Sequence, residues 1–233
     1  MMAGKKLEIA IPIFHDLTAL DAIGPYEVLQ LLPNAQIKFV SHKPGLLRAC
    51  RGSLSLQATA SFEEVPNPQV VLVPGGPGSK ALMQDQVLLD WLRKVQQFLS
   101  SEPTVPVHDT TLFTTSVCTG SHLLAAAGIL RGLEATTHWN TYDVLSQYGA
   151  KPVAKRVVRQ GKILTAAGVS SGIDMALELA ALIADETTAK VIQLLIEYDP
   201  QPPFDTGSVS KAGPELTART IEFVKKIVPI TDL

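Results

Sequence analysis

Cys118 is the residue whose surroundings in this sequence best suit nucleophilic chemistry. An apolar, β-branched run from Thr111 to Val117 passes without a loop into the helix-forming run from Ser121 to Leu130, which predicts a strand turning sharply into a helix at the cysteine. The partial positive charge of a helix start favours a thiolate over a thiol, so we expect a reactive sulfur with a lowered pKa. The alternative is a small buried core cysteine. The small residues Thr119-Gly120-Ser121, which let a ligand approach the backbone, favour the reactive thiol.

Asp21 and a pair of glycines follow two other predicted strands. Asp21 lies between a strand at 7–14 and a helix expected to hold Pro25 in its first turn, whereas Gly75 and Gly76 end the apolar run that begins at residue 69. Carboxyl ends of parallel strands meet at one edge of an α/β sheet, so these residues are expected around one crevice with the cysteine. The carboxyl is then either catalytic or an N-terminal helix cap. The glycine N–H groups either stabilise a developing anion or only form a tight turn.

Two later segments are expected near the same crevice. His138 opens a helix predicted from Ala135 to about Tyr148; a cysteine with a distant histidine is typical of thiol catalysis, and a capping or core histidine is the alternative. The small-residue connection 166–174, which contains Val169, enters another helix, for which Ser170 and Asp174 are expected as caps.

Composition limits the classes of protein that fit. The chain has 233 residues, 46% hydrophobic content and a net charge of -2, which is typical of one α/β domain and offers no basic field for nucleic acid.

Its two cysteines, Cys50 and Cys118, have no metal-ligand spacing, so neither a metal site nor a disulfide scaffold is expected, and Cys50 is expected to be passive. No run approaches the roughly 18 apolar residues of a membrane span. The apolar run at 7–14 is too short and too interrupted for the core of a signal peptide, so a cytoplasmic protein is expected. Alternating strands and helices predict a mostly parallel central sheet covered on both faces.

Several motifs together carry a family resemblance over most of the chain. The segments 73–76, 116–121 and 135–139 resemble the ThiJ/PfpI superfamily. The segments 20–25, 168–174 and 197–204 are similar to its isonitrile (isocyanide) hydratase branch.

The resemblance implies a flavodoxin-like three-layer sandwich with a cysteine nucleophile elbow, usually a homodimer, that needs no metal or organic cofactor. It implies that Cys118 is the nucleophile, Asp21 its partner carboxylate and Thr119 the residue that follows the nucleophile, so it favours the catalytic role of Asp21 over capping. Water would add to an isocyanide through a covalent thioimidate and give an N-substituted formamide. Gly75, Gly76 and Val169 would bind the substrate or a developing anion, with His138 behind them.

The same resemblance leaves rivals and departures. Protease and deglycase members often have His after the cysteine and Glu as the carboxylate, so Thr119 and Asp21 count against a dicarbonyl-processing enzyme. The other rivals are a redox sensor in which Cys118 is oxidised to sulfinic acid and a ligand-binding module like those of transcription regulators. The last is the least favoured, because no helix-turn-helix reader is expected in this sequence. The loop 100–109 is longer than expected, and the alanines at 166–167 narrow the space near the nucleophile. One domain is expected over 1–233, with the Pro-rich arm and last helix, 199–233, packing on it or on a partner subunit.

Overall fold

The computed structural model of the protein describes residues 6–100 and 112–227, so the predicted long loop at 100–109 lies almost wholly outside the described residues. The strands are β1 (Leu7–Pro12), β2 (Ala35–Ser41), β3 (Gly45–Arg48), β4 (Ser55–Ala58), β5 (Ala60–Ser61), β6 (Val70–Val73), β7 (Phe113–Val117), β8 (Glu134–Ala135), β9 (Lys151–Pro152), β10 (Val157–Gln160) and β11 (Ile163–Ala166).

The helices are α1 (Ala19–Leu29), α2 (Ser79–Leu82), α3 (Gln86–Ser100), α4 (Gly120–Ala126), α5 (Tyr142–Gln147), α6 (Ser171–Ile183), α7 (Glu186–Leu195) and α8 (Val209–Ile227). Helix α8 is interrupted at Gly213, whose φ of 72° is not helical. Within the described ranges, none of these helices has the length and apolar character of a membrane span.

The predicted fold class is confirmed. In the described part of the chain the central sheet has the order β10-β11-β7-β6-β1-β2-β5, and every neighbouring pair is parallel except the β10–β11 hairpin. All four residues of β6 are buried, as expected for a central strand covered by helices on both faces.

Three local predictions are wrong. Pro25 lies well inside α1 rather than in its first turn, where its missing N–H leaves the Asp21 carbonyl without the usual helical partner. The helix expected from Ala135 begins only at Tyr142, because Ala135 pairs with Pro152 in a short parallel ladder. Asp174 is not a cap: its carboxylate pairs with Arg156.

Close backbone contacts between the end of β6 and the start of α4 fix the position of the turn between β7 and α4. A Cβ added at Gly120 would lie 2.0 Å from the Val73 carbonyl oxygen, and one at Gly75 would lie 2.5 Å from the Thr119 nitrogen. Only glycine leaves room for such contacts, since real Cβ atoms do not approach backbone so closely. The two strand ends are therefore held together by main chain.

The C-terminal region leaves large apolar side chains uncovered in a single chain. Tyr198, the residue just before the Pro-rich arm, donates a hydrogen bond of 2.6 Å from its Oη to Asp174 Oδ1. Among the described residues beyond α6, the exposed large apolar ones are Val191, Leu194, Leu195, Phe204, Val209, Leu216, Ile221 and Phe223. We name them the α7–α8 apolar face.

We expect Gly120→Ala to lower the free energy of unfolding by about 3 kcal/mol, because the added methyl meets a backbone carbonyl that cannot move aside. Alanine otherwise favours a helix over glycine, so a loss would report the contact itself. Denaturant unfolding measures it. The control is Gly207→Ala, where an added Cβ meets no atom of the described part of the chain within 4 Å. Equal effects of the two variants would contradict the prediction.

Candidate functional site

Cys118 lies between the last residue of β7 and the start of α4, with a left-handed backbone at φ 56°. A residue other than glycine persists there only where its surroundings hold it, at a cost of about 1–3 kcal/mol. Its N–H donates to the carbonyls of Ala166 and Ala167 at 3.1 and 2.8 Å. Its carbonyl accepts hydrogen bonds from the hydroxyls of Thr137 at 3.0 Å and Ser121 at 3.1 Å. The strained residue is therefore fixed at both of its peptide units.

Asp21 is brought to this residue from the first turn of α1. Its carboxyl is fully buried, and Oδ2 accepts the Gly75 N–H at 3.0 Å. The N-cap position belongs to Thr18, and no side chain of the described residues makes a capping hydrogen bond there, so the capping alternative for Asp21 is wrong. Oδ1 accepts no hydrogen bond from a nitrogen or oxygen donor in the described residues. One carboxyl oxygen is anchored and the other is available.

Burial raises the pKa of the Asp21 carboxyl to about 7, against the smaller opposing effects of the Gly75 N–H and of a hydrogen bond with the Cys118 side chain. Desolvation of a carboxylate is expected to act in this direction. Near neutral pH, Asp21 is therefore poised between acid and base.

The pKa of the Cys118 thiol is raised rather than lowered, which corrects the expectation from the helix start. Burial is the main cause and the negative charge of Asp21 adds to it, whereas hydrogen bonds from the N–H groups of Thr119 and Val169 oppose both. The sulfur-bearing residue is only 5% exposed, so the lost hydration outweighs the two donors. The thiol and carboxyl consequently hold at most one negative charge between them in the neutral range.

The glycine pair has a different role from the predicted one. The Gly75 N–H is used by Asp21, and the Gly76 N–H donates to Thr119 Oγ1 at 2.9 Å. The same hydroxyl accepts from Ser79 Oγ at 3.0 Å and lies 3.3 Å from the Gly76 carbonyl. Neither glycine N–H is free for a developing anion in this geometry. They fix the carboxyl and the residue after the cysteine instead.

Val169 lies beside the Cys118 side chain, and the residue before it contacts His138. The N–H of Val169 donates to Cys118, as noted, and the preceding Gly168 lies under the His138 ring, so that an added Cβ would be 2.9 Å from His138 Cδ2. His138 Nδ1 is paired with Asn140 Oδ1, and burial lowers the pKa of this histidine. The histidine thus packs against the connection that carries Val169.

His122 is a buried residue to which the sequence analysis assigned no role. Its Nε2 lies 3.2 Å from Thr137 Oγ1 and 3.2 Å from Thr141 Oγ1, and burial lowers its pKa to about 4. His122 follows Cys118 by four positions and lies in the helix predicted from Ser121, which is the signal that could have pointed to it.

The described residues form neither a metal-binding cluster nor a disulfide bond. In the ranges that the structure describes, no group of three or more His, Cys, Asp or Glu residues is arranged to hold a metal ion. Cys50 and Cys118 are both free thiols, and Cys50 is half-buried with its N–H donating to the Leu17 carbonyl.

Comparison with known proteins places the chain in a family. Residues 7–182 match the model of the DJ-1/PfpI family. The chain belongs to the DJ-1/PfpI family. It is 42% identical over 206 residues to the isonitrile hydratase of Pseudomonas putida, covering 88% of this chain and 85% of that protein.

Solved structures support the same membership. A ThiJ/PfpI family protein from Pseudomonas syringae superposes with a TM-score of 0.85 at 33% identity, covering 95% of this chain and 87% of its own. Drosophila melanogaster DJ-1beta has a TM-score of 0.70 at 19% identity, with 82% of this chain and 98% of that chain covered. The second likeness concerns the fold alone.

The buried carboxyl predicts a pH-dependent cost to stability. The pKa of Asp21 is raised from 3.8 to about 7 in the native state, so the native state binds the Asp21 proton more tightly than the unfolded state does. The contribution of this proton to the free energy of unfolding is therefore complete below the unfolded pKa and is lost as the pH rises through about 7. Asp21→Asn removes this loss. Relative to the wild type, we expect the variant to gain up to about 3 kcal/mol of unfolding free energy between about pH 5 and about pH 8. Urea unfolding at both pH values measures it, and a difference that does not change with pH would contradict it.

Proposed function

We propose that this DJ-1/PfpI protein is an isonitrile hydratase, which adds water to an isocyanide through a covalent thioimidate on Cys118 and releases an N-substituted formamide. The observation that carries the proposal is the pairing of the buried Cys118 thiol with a carboxyl whose pKa is about 7. The 42% identity to the Pseudomonas putida isonitrile hydratase supports it.

The first step needs a thiolate and an acid at the same carbon. In one tautomer of the singly charged pair the proton lies on Asp21 and the sulfur is ionised, with the Thr119 and Val169 N–H groups donating to it. The thiolate attacks the terminal carbon of R–N≡C, and Asp21 gives that carbon its proton. A C–S bond and a C–H bond form, and Cys–S–CH=N–R and the Asp21 carboxylate remain. Splitting the hydration in this way replaces one difficult step by two easier ones.

The second step returns the pair to its starting state. The Asp21 carboxylate takes a proton from water as the hydroxide oxygen bonds to the thioimidate carbon, and passes this proton to nitrogen. The hydroxyl proton of the resulting adduct then moves to Asp21 while the C–S bond breaks. The products are R–NH–CHO, the Cys118 thiolate and protonated Asp21, so atoms and charge balance. Acid–base assistance of this kind contributes about 10²- to 10⁴-fold to the rate.

The arrangement of donors favours the hydratase over a dicarbonyl-processing enzyme. Attack on a carbonyl places negative charge on oxygen and calls for N–H donors beside it, yet the Gly75 and Gly76 N–H groups are already used. Attack on an isocyanide places the charge on carbon, where a proton is what is needed. A linear R–N≡C group also suits a sulfur that is only 5% exposed.

The organisation of the whole chain forms part of the proposal. We take 1–233 as one domain that acts as a homodimer without metal or organic cofactor, and the α7–α8 apolar face as the surface covered by the second copy. Eight large apolar side chains exposed in 191–223 support an interface there.

We expect purified protein to convert alkyl or aryl isocyanides to formamides and to form no lactate from methylglyoxal. Cys118→Ala is expected to abolish turnover, and Asp21→Asn to lower kcat/KM by about 10²- to 10⁴-fold while remaining folded. Cys50→Ser is the matched control and keeps full activity. Activity of the alanine variant would contradict the mechanism, lactate formation would favour the dicarbonyl enzyme, and a peroxide-dependent mass increase at Cys118 without isocyanide turnover would favour the redox sensor.

The pH dependence of turnover follows from the shared proton. Below the pKa of about 7 both groups are protonated and the reactive tautomer is absent; above it the pair is singly charged. We therefore expect kcat/KM to rise with pH through about 7 and then to level off. Initial rates in a constant-ionic-strength buffer series measure this profile. A fall of kcat/KM over the same range would mean that the neutral pair is the reactive form.

A further inference from the structure

We propose that Thr137 is a positioning residue, which strengthens the Thr119 N–H hydrogen bond to the Cys118 sulfur by donating its own hydroxyl to the Cys118 carbonyl. The inference rests on the proposed role of Cys118 as the reactive thiol. It extends that proposal to a residue that does not touch the substrate.

The geometry joins the two hydrogen bonds through one peptide unit. The Cys118 carbonyl and the Thr119 N–H are its two ends, with the carbonyl accepting the Thr137 hydroxyl at 3.0 Å and the N–H donating to the sulfur. A donor at the carbonyl polarises the amide and makes its N–H a stronger donor, because hydrogen bonds in a chain reinforce one another in a low-dielectric interior. Thr137 is fully buried, so water does not weaken this effect.

The direction of each hydrogen bond in the cluster can be assigned from proton counting. Thr137 donates its single hydroxyl proton to the Cys118 carbonyl, and Thr141 donates its own to the His138 carbonyl at 3.0 Å. His122 Nε2, 3.2 Å from both hydroxyl oxygens, must therefore be the donor to them. The result is a chain from His122 through the Thr137 hydroxyl and the Cys118–Thr119 peptide to the sulfur.

The imidazole is neutral when it performs this role. Burial lowers the pKa of His122 to about 4, so the ring is neutral at neutral pH, and the hydrogen-bond directions assigned above place its one N–H proton on Nε2. A hydrogen bond with the Thr141 backbone and the negative charge of Asp143 raise this pKa by less than burial lowers it, and the nearby His138 also lowers it. This series of hydrogen bonds therefore acts on the sulfur through the dipole of the Cys118–Thr119 peptide, and it adds no cation beside the Asp21–Cys118 pair.

The test uses the reactivity of the thiol and needs no isocyanide. In a Cys50→Ser background, iodoacetamide modification of Cys118 is followed by intact-protein mass between about pH 6 and about pH 10. Thr137→Val, which keeps the shape and removes the donor, is expected to slow alkylation at neutral pH by about threefold to tenfold and to move the half-maximal rate to higher pH. Thr137→Ser restores the hydroxyl and is expected to return both values towards those of the parent.

The matched control is Thr115→Val, which removes a buried hydroxyl donated to the Val71 carbonyl at 3.0 Å from the same strand that leads to Cys118. It is expected to leave the alkylation profile unchanged. Unchanged alkylation in Thr137→Val, or an equal loss in the control, would overturn the proposal. Should Thr137→Val fail to fold, Ser121→Ala removes the other hydroxyl at the same carbonyl and is judged by the same outcomes.

The two proposals fail separately in this design. If Thr137→Val does not change the alkylation of Cys118 while the parent protein turns over isocyanides, only the positioning role is overturned. A clear Thr137 effect in a protein that forms no formamide would overturn the proposed activity alone.

Discussion

A carboxyl and a thiol buried side by side cannot both carry negative charge, and the architecture around Asp21 and Cys118 depends on this constraint. Burial raises the pKa of each group, so a proton stays between them near neutral pH. The Gly75 N–H anchors one carboxyl oxygen, and N–H groups of Thr119 and Val169 stabilise charge on the sulfur. The pair can exchange its proton because neither partner is fully stabilised as an anion.

The constraint is maintained by backbone in unusual conformations. Cys118 is left-handed, and the Gly76 backbone, at φ 132°, passes so close to Thr18 that an added Cβ would lie 2.4 Å from its nitrogen. Such contacts bring the start of α1, the end of β6 and the turn before α4 together by main chain rather than by adaptable side chains. The conformational strain of these residues is offset by the large apolar core of the sheet, in which β6 is wholly buried.

Much of this could be predicted from the sequence, for identifiable reasons. The apolar runs of β6 and β7 are local patterns, so the sheet and the position of Cys118 at a strand-to-helix turn followed from them. The partners of the glycine N–H groups were missed because they come from 54 and 43 positions away. The direction of the Cys118 pKa was wrong because a helix start is visible in the sequence, whereas the extent of burial depends on how distant segments pack.

The protonation state of the pair is the most direct test of this account. Infrared difference spectra of the Cys50→Ser protein, recorded through a pH titration with Asp21→Asn in the same background as reference, separate the carboxylic C=O stretch of Asp21 and the S–H stretch of Cys118 from other absorption. The account predicts a buried carboxylic acid band that disappears with a midpoint near pH 7 and is absent from the Asn variant. A carboxyl already ionised at about pH 5, close to the ordinary value for aspartate, would contradict it.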